Sequence, residues 1–114
     1  MEIPDSNVSI GTGCFYSTQL QDLSIGNGLT GIGSNQFTSN ALTKLTLNND
    51  KIVSKTRTTS ANIRTMMGNL PELTELVIGN DVSVIGNYAF NNTSNNLTTV
   101  RLSNNLKTIG TCAF

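Results

Sequence analysis

Four hexamers of the form Ile-Gly-x-x-x-Phe, at Ile10–Phe15, Ile32–Phe37, Ile85–Phe90 and Ile109–Phe114, contain every phenylalanine of the 114-residue chain. A residue type confined to one phase marks an internal repeat, and a repeat of about 20–50 residues restricts a chain to solenoids, propellers or arrays. Twelve residues before three of those isoleucines stands a leucine: Leu20, Leu73 and Leu97. From each runs L-x-x-L/V-x-I/L, as "LQDLSI", "LTELVI" and "LTTVRL", and a fourth copy, "LTKLTL", starts at Leu42. Starts at 20, 42, 73 and 97 give periods of 22, 31 and 24 residues. At the front, "EIPDSNVSIGTGCF" fits the same frame, with Ile3 seven residues before Ile10 as Ile25 is before Ile32.

Alternation supplies the local structure. In "DLSIG" and "ELVIG" the apolar residues fall at period two, the pattern of a half-buried strand. One such strand cannot bury its own apolar face. Stacking successive turns sets each strand beside the next, in a parallel sheet over a continuous core. The corners Asn27-Gly28, Asn80-Asp81 and Asn104-Asn105 are expected to turn the chain after each strand. The isoleucine of Ile-Gly then re-enters the core, the glycine permits a tight backbone, and the phenylalanine fills the rear of the coil. The columns of outward strand residues follow directly. One runs Asp22, Lys44, Glu75, Thr99, and the next runs Glu2, Ser24, Thr46, Val77, Arg101. Opposite charges along the first column favour neighbouring strands by roughly 0.2–1 kcal/mol per pair.

The frame resembles the leucine-rich repeats of the BspA-like family, whose unit reads approximately L-x-x-I-x-I-P-x-x-V-x-x-I-G-x-x-A-F. "VSVIGNYAF" (82–90) and "LKTIGTCAF" (106–114) fit almost letter for letter, and Ile3-Pro4 keeps the proline that other repeats replace with Gly26, Asn48, Gly79 or Ser103. The ladder asparagine of other leucine-rich repeats is absent, as is typical of this subclass. The expected fold is a β-rich α/β repeat: a right-handed leucine-rich-repeat solenoid with a concave parallel β-sheet and a turn-rich convex side. It forms a single domain of about five turns over 1–114: 1–19 partial, 20–41, 42–72 irregular, 73–96, and 97–114 partial. The resemblance implies display at a cell surface or secretion, adhesion, and protein binding without catalysis.

The third repeat departs from the frame. After "LTKLTLNNDKIV" no Ile-Gly-x-x-x-Phe follows, and "SKTRTTSANIRTMMGNLPE" stands in its place. Ser60 is placed to cap a short helix carrying Ile63, Met66, Met67 and Leu70 at helical spacing, stopped by Gly68 and Pro71. Met66 and Met67 are expected to fill the space of the missing phenylalanine.

Composition removes other functions. With 7 basic and 7 acidic residues, no net field attracts nucleic acid or anionic membranes. No apolar run approaches the length of a membrane span, and "MEIPDS" lacks a secretory h-region. The chain has no histidine, hence neither the commonest general base nor the commonest zinc ligand. The carboxylates are scattered and the serines lack a nucleophile elbow, so an enzyme is not expected. "GNGLTG" (26–31) spells G-x-G-x-x-G, but the rear turn follows where a pyrophosphate-binding helix would have to begin. "NND" (48–50) lacks the acidic partners of a calcium loop and reads as a corner. The run Lys51, Lys55, Arg57, Arg64 reads as a solvated face. No cofactor or metal is expected.

Cys14 and Cys112 occupy rear positions in turns one and five, four steps apart. At ~4.8 Å per step they lie roughly 19 Å from each other, beyond the ~7 Å limit for a disulfide. The frame begins inside one repeat and ends inside another, so the chain is expected to be part of a longer array. Its open ends are expected to associate end to end, bringing Glu2 beside Arg101. The expected ligand surface is the concave face: Asp22, Lys44, Thr46, Glu75, Val77, Thr99 and Arg101. A protein partner fits it best. A spacer with no ligand of its own, or a glycan-binding face, are the other readings, because these columns carry no aromatic residue to anchor a tight interface.

Overall fold

A computed structural model describes residues 2–3, 19–29, 41–54, 70–90 and 96–114. Cys14, Phe15, Phe37, Ser60, Ile63, Met66 and Met67 lie outside these segments, as do Lys55, Arg57 and Arg64. The expectations placed on them therefore fall outside the described residues.

The front segment delivers β1 (Glu2–Ile3), and each of the four leucine starts delivers one strand: β2 (Asp22–Ile25), β3 (Lys44–Leu47), β4 (Glu75–Ile78) and β6 (Thr99–Arg101). They form one parallel sheet in the order β1-β2-β3-β4-β6. Sequence order equals spatial order, as coiling one turn upon the last requires. Leu23, Leu45 and Leu76 stand in register, as do Ile25, Leu47 and Ile78, and all six are buried. On the opposite side β5 (Val84–Ile85) pairs in parallel with β7 (Thr108–Ile109), stacking Ile85 on Ile109. The corners 27–28, 80–81 and 104–105 are turns, as their asparagines predict. At the rear, the ring of Phe90 stacks on that of Phe114 with centroids 5.6 Å apart.

The irregular repeat keeps more of the pattern than its letters suggest. Asp50–Val53 forms a single helical turn, α1. Its Val53 carbonyl accepts the Gly86 N–H at 2.9 Å, just as the Ile85 carbonyl accepts the Gly110 N–H at 2.8 Å. Val53 thus holds the place of the isoleucine of Ile-Gly, one residue early, and both Ile52 and Val53 are buried.

Asparagines tie the turns together. Among the described residues a single buried asparagine, Asn49, does what a ladder asparagine does elsewhere. Its Nδ2 donates to the carbonyls of Gly26 and Leu29 in the preceding turn, each at 3.1 Å. Its Oδ1 accepts the Ile52 N–H at 3.3 Å and caps α1. Absence of the ladder asparagine, expected from the family pattern, therefore does not hold for this turn. Asn48 reaches forward, donating to Asp81 Oδ2 at 2.9 Å and accepting the Asp81 N–H at 2.7 Å. Asn87 accepts the Thr111 N–H at 2.8 Å, and Asn105 donates to the Asn80 carbonyl at 2.9 Å. Gly79 and Gly110 lie under two of these clamps. A Cβ on Gly79 would overlap the Asn48 side chain, and one on Gly110 would stand 2.6 Å from the Asn87 nitrogen.

Candidate functional site: the outward face of the sheet

In each strand the residues between the buried positions point away from the core. Register gathers them into columns. Asp22 pairs with Lys44, Lys44 with Glu75, and Glu75 with Thr99. Beside them Glu2 pairs with Ser24, Ser24 with Thr46, Thr46 with Val77, and Val77 with Arg101. All seven residues expected to form the ligand surface thus share one face of one sheet. Asp22, Thr99 and Arg101 are exposed, while Lys44, Thr46, Glu75 and Val77 are half-buried.

The charges also interact across the columns. Arg101 Nε lies 3.1 Å from Glu75 Oε2, a diagonal pair between β4 and β6. With the arginine side chain 69% exposed, this pair contributes at most about 1 kcal/mol. It fixes the direction of the guanidinium without burying it.

Threonine forms a second ladder along one border of this face, which residue-by-residue reading of the sequence misses. Thr43 Oγ1 donates to the Gln21 carbonyl at 3.1 Å, Thr74 Oγ1 to the Thr43 carbonyl at 3.3 Å, and Thr98 Oγ1 to the Thr74 carbonyl at 3.2 Å. The same carbonyls accept two backbone N–H groups each, from Thr43 and Lys44, Thr74 and Glu75, and Thr98 and Thr99. The available signal is the Leu-Thr pair that opens three of the four repeats. The ladder holds the strand starts at a fixed stagger, and so holds the columns in line.

A family model described as a BspA-type leucine-rich repeat region matches residues 1–114 in six copies. The chain belongs to the BspA-type leucine-rich repeat family. Six copies compare with the five turns expected from the four leucine starts and the front segment, and with five strands in the main sheet among the described residues. No curated protein and no solved structure matches the chain significantly. Leucine-rich repeats of this kind are generally non-enzymatic surface modules for protein interaction. Among the described residues, no group of three or more His, Cys, Asp or Glu side chains could hold a metal ion, and no helix is long and apolar enough to cross a membrane. Cys112 is free and exposed.

Proposed function

We propose that this BspA-type repeat is a protein-binding adhesion module of a cell-surface or secreted protein, and that it binds through the concave face of its main sheet. The supporting observation is the alignment of Asp22, Lys44, Glu75 and Thr99 beside Thr46, Val77 and Arg101, in register over four strands. Backbone ladders and the threonine column hold these strands together and keep the outward side chains in line. A broad face of mixed charge with Val77 near its centre suits a folded protein surface better than a small molecule.

One observation favours a spacer instead: no Trp, Tyr or Phe stands in the columns, and such residues dominate most binding hot spots. A pull-down against matrix proteins, run beside a glycan array, separates the readings. The expected result is a protein partner captured by the wild type and lost by the Lys44→Ala/Arg101→Ala double variant. A glycan hit without a protein hit assigns the face to carbohydrate, and silence in both screens favours the spacer.

A further inference from the structure

The corner after β2 holds the only Asn-Gly pair in the chain, Asn27-Gly28. An asparagine in that setting is chemically unstable in water. The backbone nitrogen of the next residue attacks the side-chain amide carbon, and a following glycine admits the attack best, having no Cβ in the way and a permissive backbone. Every other asparagine is followed by a residue that carries a Cβ. Asn27 is exposed, Gly28 is buried, and the two form the turn.

The next coil grips this turn from both sides. Asn49 Nδ2 donates to the Gly26 carbonyl before the pair and to the Leu29 carbonyl after it, each at 3.1 Å. Asn49 is fully buried, so its amide meets no competing water. On the strand side the Gly26 N–H donates to the Ile3 carbonyl at 2.7 Å, and the Asn48 N–H donates to the Ile25 carbonyl at 2.9 Å. Asn27-Gly28 therefore bridges two points that are fixed. To bring Asn27 Cγ within bonding reach of the Gly28 nitrogen, the backbone of the turn must rotate. With both flanking carbonyls held by one amide group, that rotation requires a local opening. Opening also admits water and base to the buried Gly28 nitrogen.

We propose that Asn27 is a site of spontaneous conversion to isoaspartate, and that Asn49 sets the rate by holding the turn shut. The chemistry needs only water and its hydroxide. The Gly28 nitrogen gives its proton to hydroxide and bonds to Asn27 Cγ. The Cγ–Nδ2 bond breaks, and ammonia leaves with a proton taken from water, which regenerates the hydroxide. Water then opens the resulting five-membered imide. Addition at Cγ restores the ordinary backbone as aspartate. Addition at the Asn27 main-chain carbonyl carbon gives isoaspartate, in which the chain runs on through Cβ and Cγ. Isoaspartate puts one more backbone atom between the Gly26 and Leu29 carbonyls. A single amide group then no longer spans both, so a converted turn does not close again.

Peptide mapping by mass spectrometry, with enzymatic methyl labelling of isoaspartate, follows the full chain during incubation at mildly alkaline pH. Isoaspartate is expected at residue 27, forming severalfold more slowly in the folded protein than in the same chain unfolded by urea. Asn49→Ala should speed the folded reaction severalfold. So should Asn49→Ser, which keeps an oxygen to cap α1 but is too short to span the two carbonyls. If one of these variants loses the parental circular dichroism, the other reports. Gly110→Ala, whose added Cβ meets Asn87 far from this corner, controls for a general loss of stability and should leave the rate unchanged. Several results overturn the proposal: aspartate at residue 27 without isoaspartate, no conversion there, or equal rates in the folded and unfolded chain. An unchanged rate in the folded Asn49 variants, or equal acceleration by Gly110→Ala, overturns it as well.

Discussion

Replacing Asn49 by alanine removes the one polar side chain, among the described residues, that is both fully buried and shared between turns. The magnitude can be built from three of its bonds. The Leu29 carbonyl loses a buried donor, which costs about 1–3 kcal/mol if nothing replaces it. The Gly26 carbonyl is only part-buried, so water can replace its donor and the loss is about 1 kcal/mol. The Ile52 N–H keeps the Asn49 carbonyl at 3.3 Å, which places the lost cap near the low end, about 0.5 kcal/mol. Together these give about 2.5–4.5 kcal/mol, a large share of the ~5–15 kcal/mol typical of a domain. The matched control is Asn105→Ala, which removes one exposed bond to the Asn80 carbonyl and should cost about 0.5–1 kcal/mol. Urea unfolding followed by circular dichroism measures both. With m near ~1.5 kcal/mol/M, Asn49→Ala should lower the midpoint by about 2–3 M and Asn105→Ala by less than about 0.7 M. Equal shifts would refute the reasoning, because they would mean that the Asn49 bonds to the preceding turn carry no more than a surface contact.

Two further perturbations follow from the corners and the rear turn. Gly79→Ala places a methyl on the Asn48 side chain and should cost about 1–3 kcal/mol in thermal or urea unfolding. The cost should fall in an Asn48→Gly background, which removes the overlapping Cβ together with the amide, and a full cost there would show that the clash lies elsewhere. Cys112 holds a positive φ of 49°, a conformation that asparagine tolerates better than other side chains. Cys112→Asn should therefore raise stability by about 0.5–1 kcal/mol, and a loss of stability would mean that the thiol has a packing role.

The strand register was legible in the sequence because it depends on spacing within each repeat. Period-two apolar residues at 23/25, 45/47 and 76/78 fix which side chains face out, and a common start fixes which ones align. The charged columns follow from those two facts. What sequence did not reveal depends on groups in the neighbouring turn. Asn49 looks like any corner asparagine until the carbonyls of Gly26 and Leu29 stand above it. Val53 looks like the end of a broken phrase because Leu42 precedes it by 11 residues rather than 12. Only its hydrogen bond to Gly86 places it in the isoleucine column. The threonine ladder was missed for the same reason: its acceptors lie 22, 31 and 24 residues away. Of the candidate site, position was legible and occupancy was not, since the same mixed charges serve neighbouring strands and a ligand equally well.

The central claim is that a protein partner sits on the main sheet, and covalent lysine labelling read by mass spectrometry tests it most directly. Lys44 lies in the middle of the outward columns, whereas exposed Lys107 leads into β7 on the opposite side. With a captured matrix protein bound, acylation of Lys44 should slow severalfold while acylation of Lys107 stays unchanged. Protection of Lys107 with Lys44 still fully reactive would place the partner on the other side of the coil and contradict the account.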